Sequence, residues 1–226
     1  MDTSRPTTRP TRGRPNKHDA ITRAARTVFG RDGYSRTTTD AIAREAAVST
    51  RTLYKHFGSK EQLFSYVLLD SATRVADAFV EYVEAGLRDA TGLEQQLVAI
   101  GRALVAHRID FPDHFAMVAV ISVEGRHFPE ELYEAWQQAG PLRVQAEVVR
   151  RLQALADAGL LRITDPRRTA LHFTTLTTFE AHHQYARERI TEEEIAVMVT
   201  AAVHTFLDGY RLRGTAPEAP GPTDQP

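Results

Sequence analysis

The 226-residue sequence contains no cysteine. A disulfide framework and a thiolate metal site are both excluded. It has no run of about 18 apolar residues, the length a helix needs to cross a bilayer. The first residues are basic and rich in Pro and Thr, without the apolar stretch of a secretory signal. No strand-like alternation and no internal repeat stands out. Enzyme signatures are missing too: there is no Gly-x-Ser-x-Gly, no phosphate-cradling P-loop and no His-Glu-x-x-His. These absences lead us to expect a soluble cytoplasmic protein that is not an enzyme and carries no cofactor.

What is present is helical periodicity and a lopsided charge. The formal net charge is −1. Residues 1–60 nevertheless hold 13 Lys and Arg against 5 Asp and Glu, while the rest hold 15 against 24. A basic head on an acidic remainder is the footprint of a module that meets a polyanion at one end. The 42% hydrophobic content allows one large domain or two small ones.

Residues 1–16, MDTSRPTTRPTRGRPN, have almost nothing to bury and are expected to be disordered. Within them, Arg12-Gly13-Arg14-Pro15 has the form of an AT-hook core, which slots into a narrow minor groove; a plain solvated arm accounts for it equally. Apolar spacing predicts helices over 17–30, 60–86, 93–110, 115–128, 130–158, 166–188 and 192–212. Gly140-Pro141 should break or kink the helix over 130–158. The Pro/Gly-rich tail, 213–226, is expected to be disordered.

Two short helices and a tight turn are predicted between Thr37 and Lys60. Thr38 or Thr39 is placed to cap the first, with Asp40 in its first turn, and Ser49 caps the second over Thr50–Phe57. Leu53 and Phe57 can face a core, leaving Thr50, Arg51, Thr52, Tyr54, Lys55 and His56 outward. Hydroxyls, cations and a phenol on a two-turn helix suit phosphates and base edges.

The run TTTDAIAREAAVSTRTLYKHFGSKEQL resembles the helix-turn-helix of TetR-type transcriptional regulators, most specifically in VSTRTLYKHFGSKEQL. The likeness extends from near Arg14 to about Asp70. It implies an all-α fold, with a DNA-binding head over 17–62 and a ligand-binding and dimerisation body over 63–212. The DNA contacts it implies, together with the outward face, are Thr38, Thr39, Ser49, Thr50, Arg51, Thr52, Tyr54, Lys55, His56 and Lys60. Thr50, Arg51 and Thr52 are expected at base edges, and Thr39, Tyr54, His56 and Lys60 on the backbone. Ala47 stands where the family has glycine, and alanine fits if the turn keeps near-helical angles.

The resemblance also implies a dimer built on the last two helices. We expect Leu171, Ile195, Met198, Val199, Ala202, Val203 and Phe206 in that interface. It implies an inducer pocket in the body. Aromatic and histidine residues scattered there nominate His107, Phe115, Trp136, His172, Phe179 and His183 as its lining. The partners expected are a double-stranded DNA operator, a small-molecule inducer and a second copy of the chain, but no membrane. An alternative is a metal sensor or di-iron-like enzyme using Glu124-x-x-His127 and Glu180-x-x-His183. Chance pairs at this spacing are common, and no paired glutamate helices accompany these two.

Overall fold

The computed structural model of the chain describes residues 16–124, 128–185 and 190–211. The terminal arm with Arg12–Pro15 and the tail after Arg211 lie outside the described residues. Helices follow one another in the order α1 (Lys17–Asp32), α2 (Thr39–Glu45), α3 (Thr50–Phe57), α4 (Lys60–Leu87), α5 (Leu93–Asp110), α6 (Pro112–Glu124), α7 (Glu130–Ala139), α8 (Pro141–Asp157), α9 (Pro166–Tyr185) and α10 (Glu192–Tyr210). The fold is all-α; the only pairing of extended backbone among the described residues is an isolated bridge, Leu161 to Arg211.

The break near residue 140 is complete. A Cβ on Gly140 would lie 3.0 Å from the Ala72 Cβ and 3.1 Å from the Ala72 carbonyl oxygen. Only glycine allows that approach, and Pro141 then opens α8 where its missing N–H costs nothing. Residues 130–158 are therefore two helices rather than one. The other expected helices are present with small shifts at their ends, α6 starting at Pro112.

The chain divides into two compact units, and not at residue 62. Unit 1 is the chain up to Ser71 together with Asp113–Leu132, and unit 2 is Ala72–Pro112 together with the chain from Tyr133. The head thus recruits α6, which the sequence had suggested to us was body.

Unit 1 is built on apolar side chains from five helices. Ile21, Val28 and Phe29 of α1, Ile42 of α2, Leu53 of α3 and Leu63, Phe64 and Val67 of α4 are all fully buried, and Met117 of α6 joins them. Burying each such side chain stabilises the fold by about 1.5–3 kcal/mol. Phe128 stacks on Phe64 with centroids 4.8 Å apart. A Cβ on Gly30 would come within 3.1 Å of the Ala116 Cβ, so the bare glycine lets α6 lie close against α1.

In unit 2, α10 packs on α5 and α9, α5 packs on α9, and α8 packs on α9. Phe79, Leu97, Ile100, Leu104, Leu152, Phe173, Val199, Val203 and Phe206 form its centre. Gly101 brings α5 close to its neighbours: a Cβ there would meet Val199 Cγ1 at 2.7 Å and Thr177 Cγ2 at 3.2 Å.

Candidate nucleic-acid interface

Each short helix of the reading pair is started by a side chain. Thr38 Oγ1 accepts the Ala41 N–H at 3.1 Å, and Ser49 Oγ accepts the Thr52 N–H at 3.2 Å. The turn between them closes with two backbone bonds, Ala47 N–H to Arg44 O (3.1 Å) and Val48 N–H to Ala43 O (2.9 Å). That is a Schellman ending, and it places Ala47 in the left-handed region at φ 52°. The condition under which alanine fits there without cost, near-helical angles, is therefore not met. The bonding pattern demands the left-handed residue whatever its side chain.

Polar bridges then fix α3 against α2. Thr50 Oγ1 donates to Asp40 Oδ1 at 2.8 Å, and the Thr39 and Tyr54 hydroxyls are 3.2 Å apart. The Ser49 and Thr52 hydroxyls are 2.9 Å apart. Thr50 and Thr52 are half-buried in these contacts, while Arg51, Tyr54, Lys55 and His56 are exposed. Leu53 and Phe57 are buried on the opposite side. Of the three residues expected at base edges, Arg51 is the exposed one. Its guanidinium matches the paired acceptors of guanine in a major groove.

Lys60 does something other than the expected phosphate contact. Its Nζ donates to the carbonyls of Tyr34 and Thr37, both at 3.0 Å, and lies 4.4 Å over the Tyr34 ring. The connection between α1 and α2 turns its carbonyls toward the start of α4, and the ammonium satisfies them there. Tyr34 in turn donates its hydroxyl to Glu61 Oε1 at 3.0 Å. Burial, reinforced by that carboxylate, pushes the Tyr34 phenol up to about 12.

The same connection is gripped by α6. Glu124 Oε2 accepts from the Ser35 N–H at 3.0 Å and from its hydroxyl at 2.5 Å. At the other end of α6, Asp113 Oδ2 accepts from Thr27 of α1 at 3.1 Å. So the segment leading into α2 is held by Lys60 and Glu124 together. Sequence reasoning missed this pair. The only hint was Gly30, an otherwise costly glycine inside a helix.

Comparison with known proteins gives residues 21–67 as a match to the family model for bacterial regulatory proteins of the tetR family. Residues 95–212, just over half the chain, match that for the C-terminal domain of AefR-like transcriptional repressors. The chain belongs to the TetR family of DNA-binding regulators. It is 30% identical over 130 residues to the HTH-type transcriptional regulator UidR of Escherichia coli K12, covering 58% of this chain and 59% of UidR. It is 40% identical over 91 residues to the transcriptional activator FasR of Mycolicibacterium smegmatis, 40% of this chain and 38% of FasR. The aligned region thus spans about three-fifths, or less, of the length of these curated relatives. A TetR-family regulator from Mesorhizobium loti MAFF303099 has a similar structure, with TM-score 0.73 and 29% identity, over 87% of this chain and 97% of that one. The flavonoid-responsive regulator FrrA superposes with TM-score 0.61 at 28% identity, over 88% and 98%.

In this TetR-family chain most of the expected dimer residues are not on the surface of the protomer. Ile195, Met198, Val199, Val203 and Phe206 are buried in unit 2, and Ala202 is half-buried. Periodicity finds the apolar side of a helix but cannot say whether a neighbouring helix of the same protomer already covers it. Leu171 is different, at 58% exposed, and shares the outer face of α9 with Leu176 and with Phe179, 69% exposed. Val197 is the matching exposed residue of α10.

The expected pocket lining separates likewise. His107 and Trp136 are buried in unit 2, whereas Phe115 belongs to unit 1, beside His114. His172 is exposed and bonds the Tyr210 hydroxyl at 2.6 Å. Phe179 and His183 are exposed and stack on each other, with centroids 6.4 Å apart. The buried stripe of α9 is Phe173, Thr177, Thr178 and Ala181, so His182, one turn beyond Thr178, is the histidine that turns inward. The metal alternative gains nothing. Glu124 is engaged by Ser35, and His127 lies outside the described residues. The described residues hold no group of three or more His, Asp or Glu able to bind a metal ion.

Proposed function

We propose that this chain acts in the cytoplasm as a homodimeric operator-binding repressor, released from DNA by a small molecule and catalysing no reaction. The observation that carries the DNA reading is Arg51, exposed on the first turn of an α3 whose seat is fixed by the Thr50–Asp40 bond and the Ser49 cap. A helix of two turns reads few base pairs, so two copies on half-sites about 34 Å apart supply the specificity. The exposed apolar faces of α9 and α10 supply the dimer contact, with Leu171, Leu176, Phe179 and Val197 at its centre. Repression is the sign favoured by the AefR-like repressor match over the body. Response to a small molecule is supported by the likeness to FrrA, which is flavonoid-responsive.

The ligand needs only to bind more tightly to the spacing of the two heads that misses the operator. Selection of genomic fragments on the purified protein tests the reading: it should yield a two-fold symmetric site. Arg51→Ala should then weaken binding by about 1–3 kcal/mol and relax preference at one base position in each half-site. An Arg51→Ala protein that keeps the wild-type ratio of operator to random-DNA affinity removes Arg51 from base reading.

A further inference from the structure

An open groove of about 650 Å³ runs along α5 in unit 2. Two helices flank α5, and both run opposite to it. On one side Gly86 of α4 abuts Ala99, where a Cβ on the glycine would lie 3.1 Å from the Ala99 Cβ, and Tyr82 donates its hydroxyl to Asp110 at 2.8 Å. On the other side Arg102 donates to Glu192 of α10 at 2.8 Å, and Glu94 Oε1 lies 3.0 Å from His204 Nε2. The floor between these walls is apolar and mostly short: Val98, Ala99, Ala103 and Ala106 of α5, with Ile195 of α10. The α5 residues that line it, from Gln95 to Ala106, cover about 16 Å of helix. Length and volume both suit a small molecule, whose sites hold about 300–1,000 Å³.

The charge on the lining has one sign in excess. Three carboxylates, Asp89, Glu94 and Glu192, stand against one guanidinium, Arg102. Two of the three are answered within the unit. Glu94 and Glu192 each lie in the first turn of their own helix, where the dipole favours an anion, and each has its partner in His204 or Arg102. Asp89 has neither advantage. It is exposed two residues beyond Leu87, at the negative end of the α4 dipole, and makes no hydrogen bond or ion pair among the described residues. One end of the groove is therefore an uncompensated negative charge. Towards the other end Tyr82, its hydroxyl already given to Asp110, has only its ring to offer.

We infer that the groove between α4 and α10 binds a small molecule with an apolar body and a single cationic nitrogen. The nitrogen pairs with Asp89, and the body lies over Ala99, Ala103 and Ala106 towards Tyr82. A carboxylate-bearing ligand of the same shape meets the excess of negative charge. A neutral one leaves Asp89 unanswered, and a polyamine leaves the apolar floor uncovered. Occupation of the groove requires neither DNA nor a second copy of the chain, so the site stands or falls apart from the regulatory reading above.

The test uses the full-length protein with its alanine methyl groups labelled for NMR. The probes are 4-phenylbutylamine and 2-(1-naphthyl)ethylamine, each beside the alcohol and the carboxylate of the same skeleton, at constant ionic strength. At least one amine should move the Ala99 and Ala106 methyl resonances and bind about threefold to fivefold more tightly than its alcohol, the range of a partly exposed ion pair. Asp89→Asn should abolish that preference while leaving the methyl spectrum of the free protein as it was. Asp89→Lys should turn the preference towards the carboxylate, a gain that damage to the fold does not produce. Equal binding of amine and alcohol overturns the inference, as does a preference for the amine that survives Asp89→Asn. So does the absence of any shift at Ala99 and Ala106 with both amines. Shifts at the same methyls that appear on raising the protein concentration without a probe assign the groove to a second copy of the chain and overturn it too.

Discussion

Replacing Ala47 with glycine should make the DNA-binding head more stable. Ala47 holds φ 52° because the Val48 and Ala47 amides must reach back to Ala43 and Arg44. A side chain in that region costs about 1–2 kcal/mol. Glycine removes the cost but gives the unfolded chain about 0.4–1 kcal/mol of extra freedom. The net expectation is a gain of about 0.5–1 kcal/mol. The molecule carries its own control. The end of α8 repeats the motif, with Gly159 N–H to Ala156 O and Leu160 N–H to Leu155 O, but with glycine at φ 73°. A Cβ on Gly159 would meet nothing within 4 Å, so Gly159→Ala isolates the backbone term and should lose a similar amount. The readouts differ. Trp136, the single tryptophan, lies in unit 2 and reports on Gly159→Ala by fluorescence in urea. The head is followed by amide exchange at Val48 and Leu53. Slower exchange in Ala47→Gly alongside a lower midpoint in Gly159→Ala is the expected pair. An unchanged or faster-exchanging Ala47→Gly would refute the argument.

Lys60→Met should destabilise the α1–α2 connection, while the slope of log affinity against log salt stays at its wild-type value, because the ammonium is turned to carbonyls; a slope smaller by about one unit would restore Lys60 as a phosphate contact. Phe179→Glu should give a folded monomer by sedimentation, whereas Phe206→Glu should not fold, since its charge would enter the core of the protomer. A folded Phe206→Glu monomer would return α10 to the interface as first expected. Acid should weaken the fold through His107, which burial lowers to about 4 from an ordinary 6.5. The unfolded chain then binds the extra proton, so stability should fall as pH drops from about 6.5 to about 4, by on the order of 3 kcal/mol in all. Denaturation midpoints across that range check it, and His107→Phe should flatten the curve.

The head was legible in the sequence because its signals are local. Thr38 and Ser49 cap, and Leu53 and Phe57 mark the inner face. Each depends on residues three or four positions away, a distance the chain itself enforces. What could not be read depends on which helix lies across from which. Val203 and Phe206 looked like an interface because a protomer core and a dimer seam have the same periodicity. The sequence nominates His183 where the structure buries the Nε2 of His182, because one residue of helical register separates the two, and that register is set by Phe173 against Phe206 of α10 and Thr177 against Gly101 of α5. Lys60 looked like a phosphate ligand because its partners, two backbone carbonyls more than twenty residues away, carry no side-chain signature.

The discontinuous head has a consequence for how the protein is made. Unit 1 needs α6, yet the chain leaves it at Ser71 and returns only at Asp113–Leu132. A ribosome delivering about 5–20 residues per second takes roughly 3–12 s to cover the interval between Ser71 and Leu132. For most of that time α1 to α3 have been made, but Phe128 has not arrived to stack on Phe64, and Glu124 is absent from Ser35. The nascent DNA reader therefore waits, incomplete, for a helix encoded after the first stretch of the second unit. Cutting the chain at residue 71 reproduces that waiting state permanently, and the reading helices cannot be transplanted as an uninterrupted segment without leaving part of their own core behind.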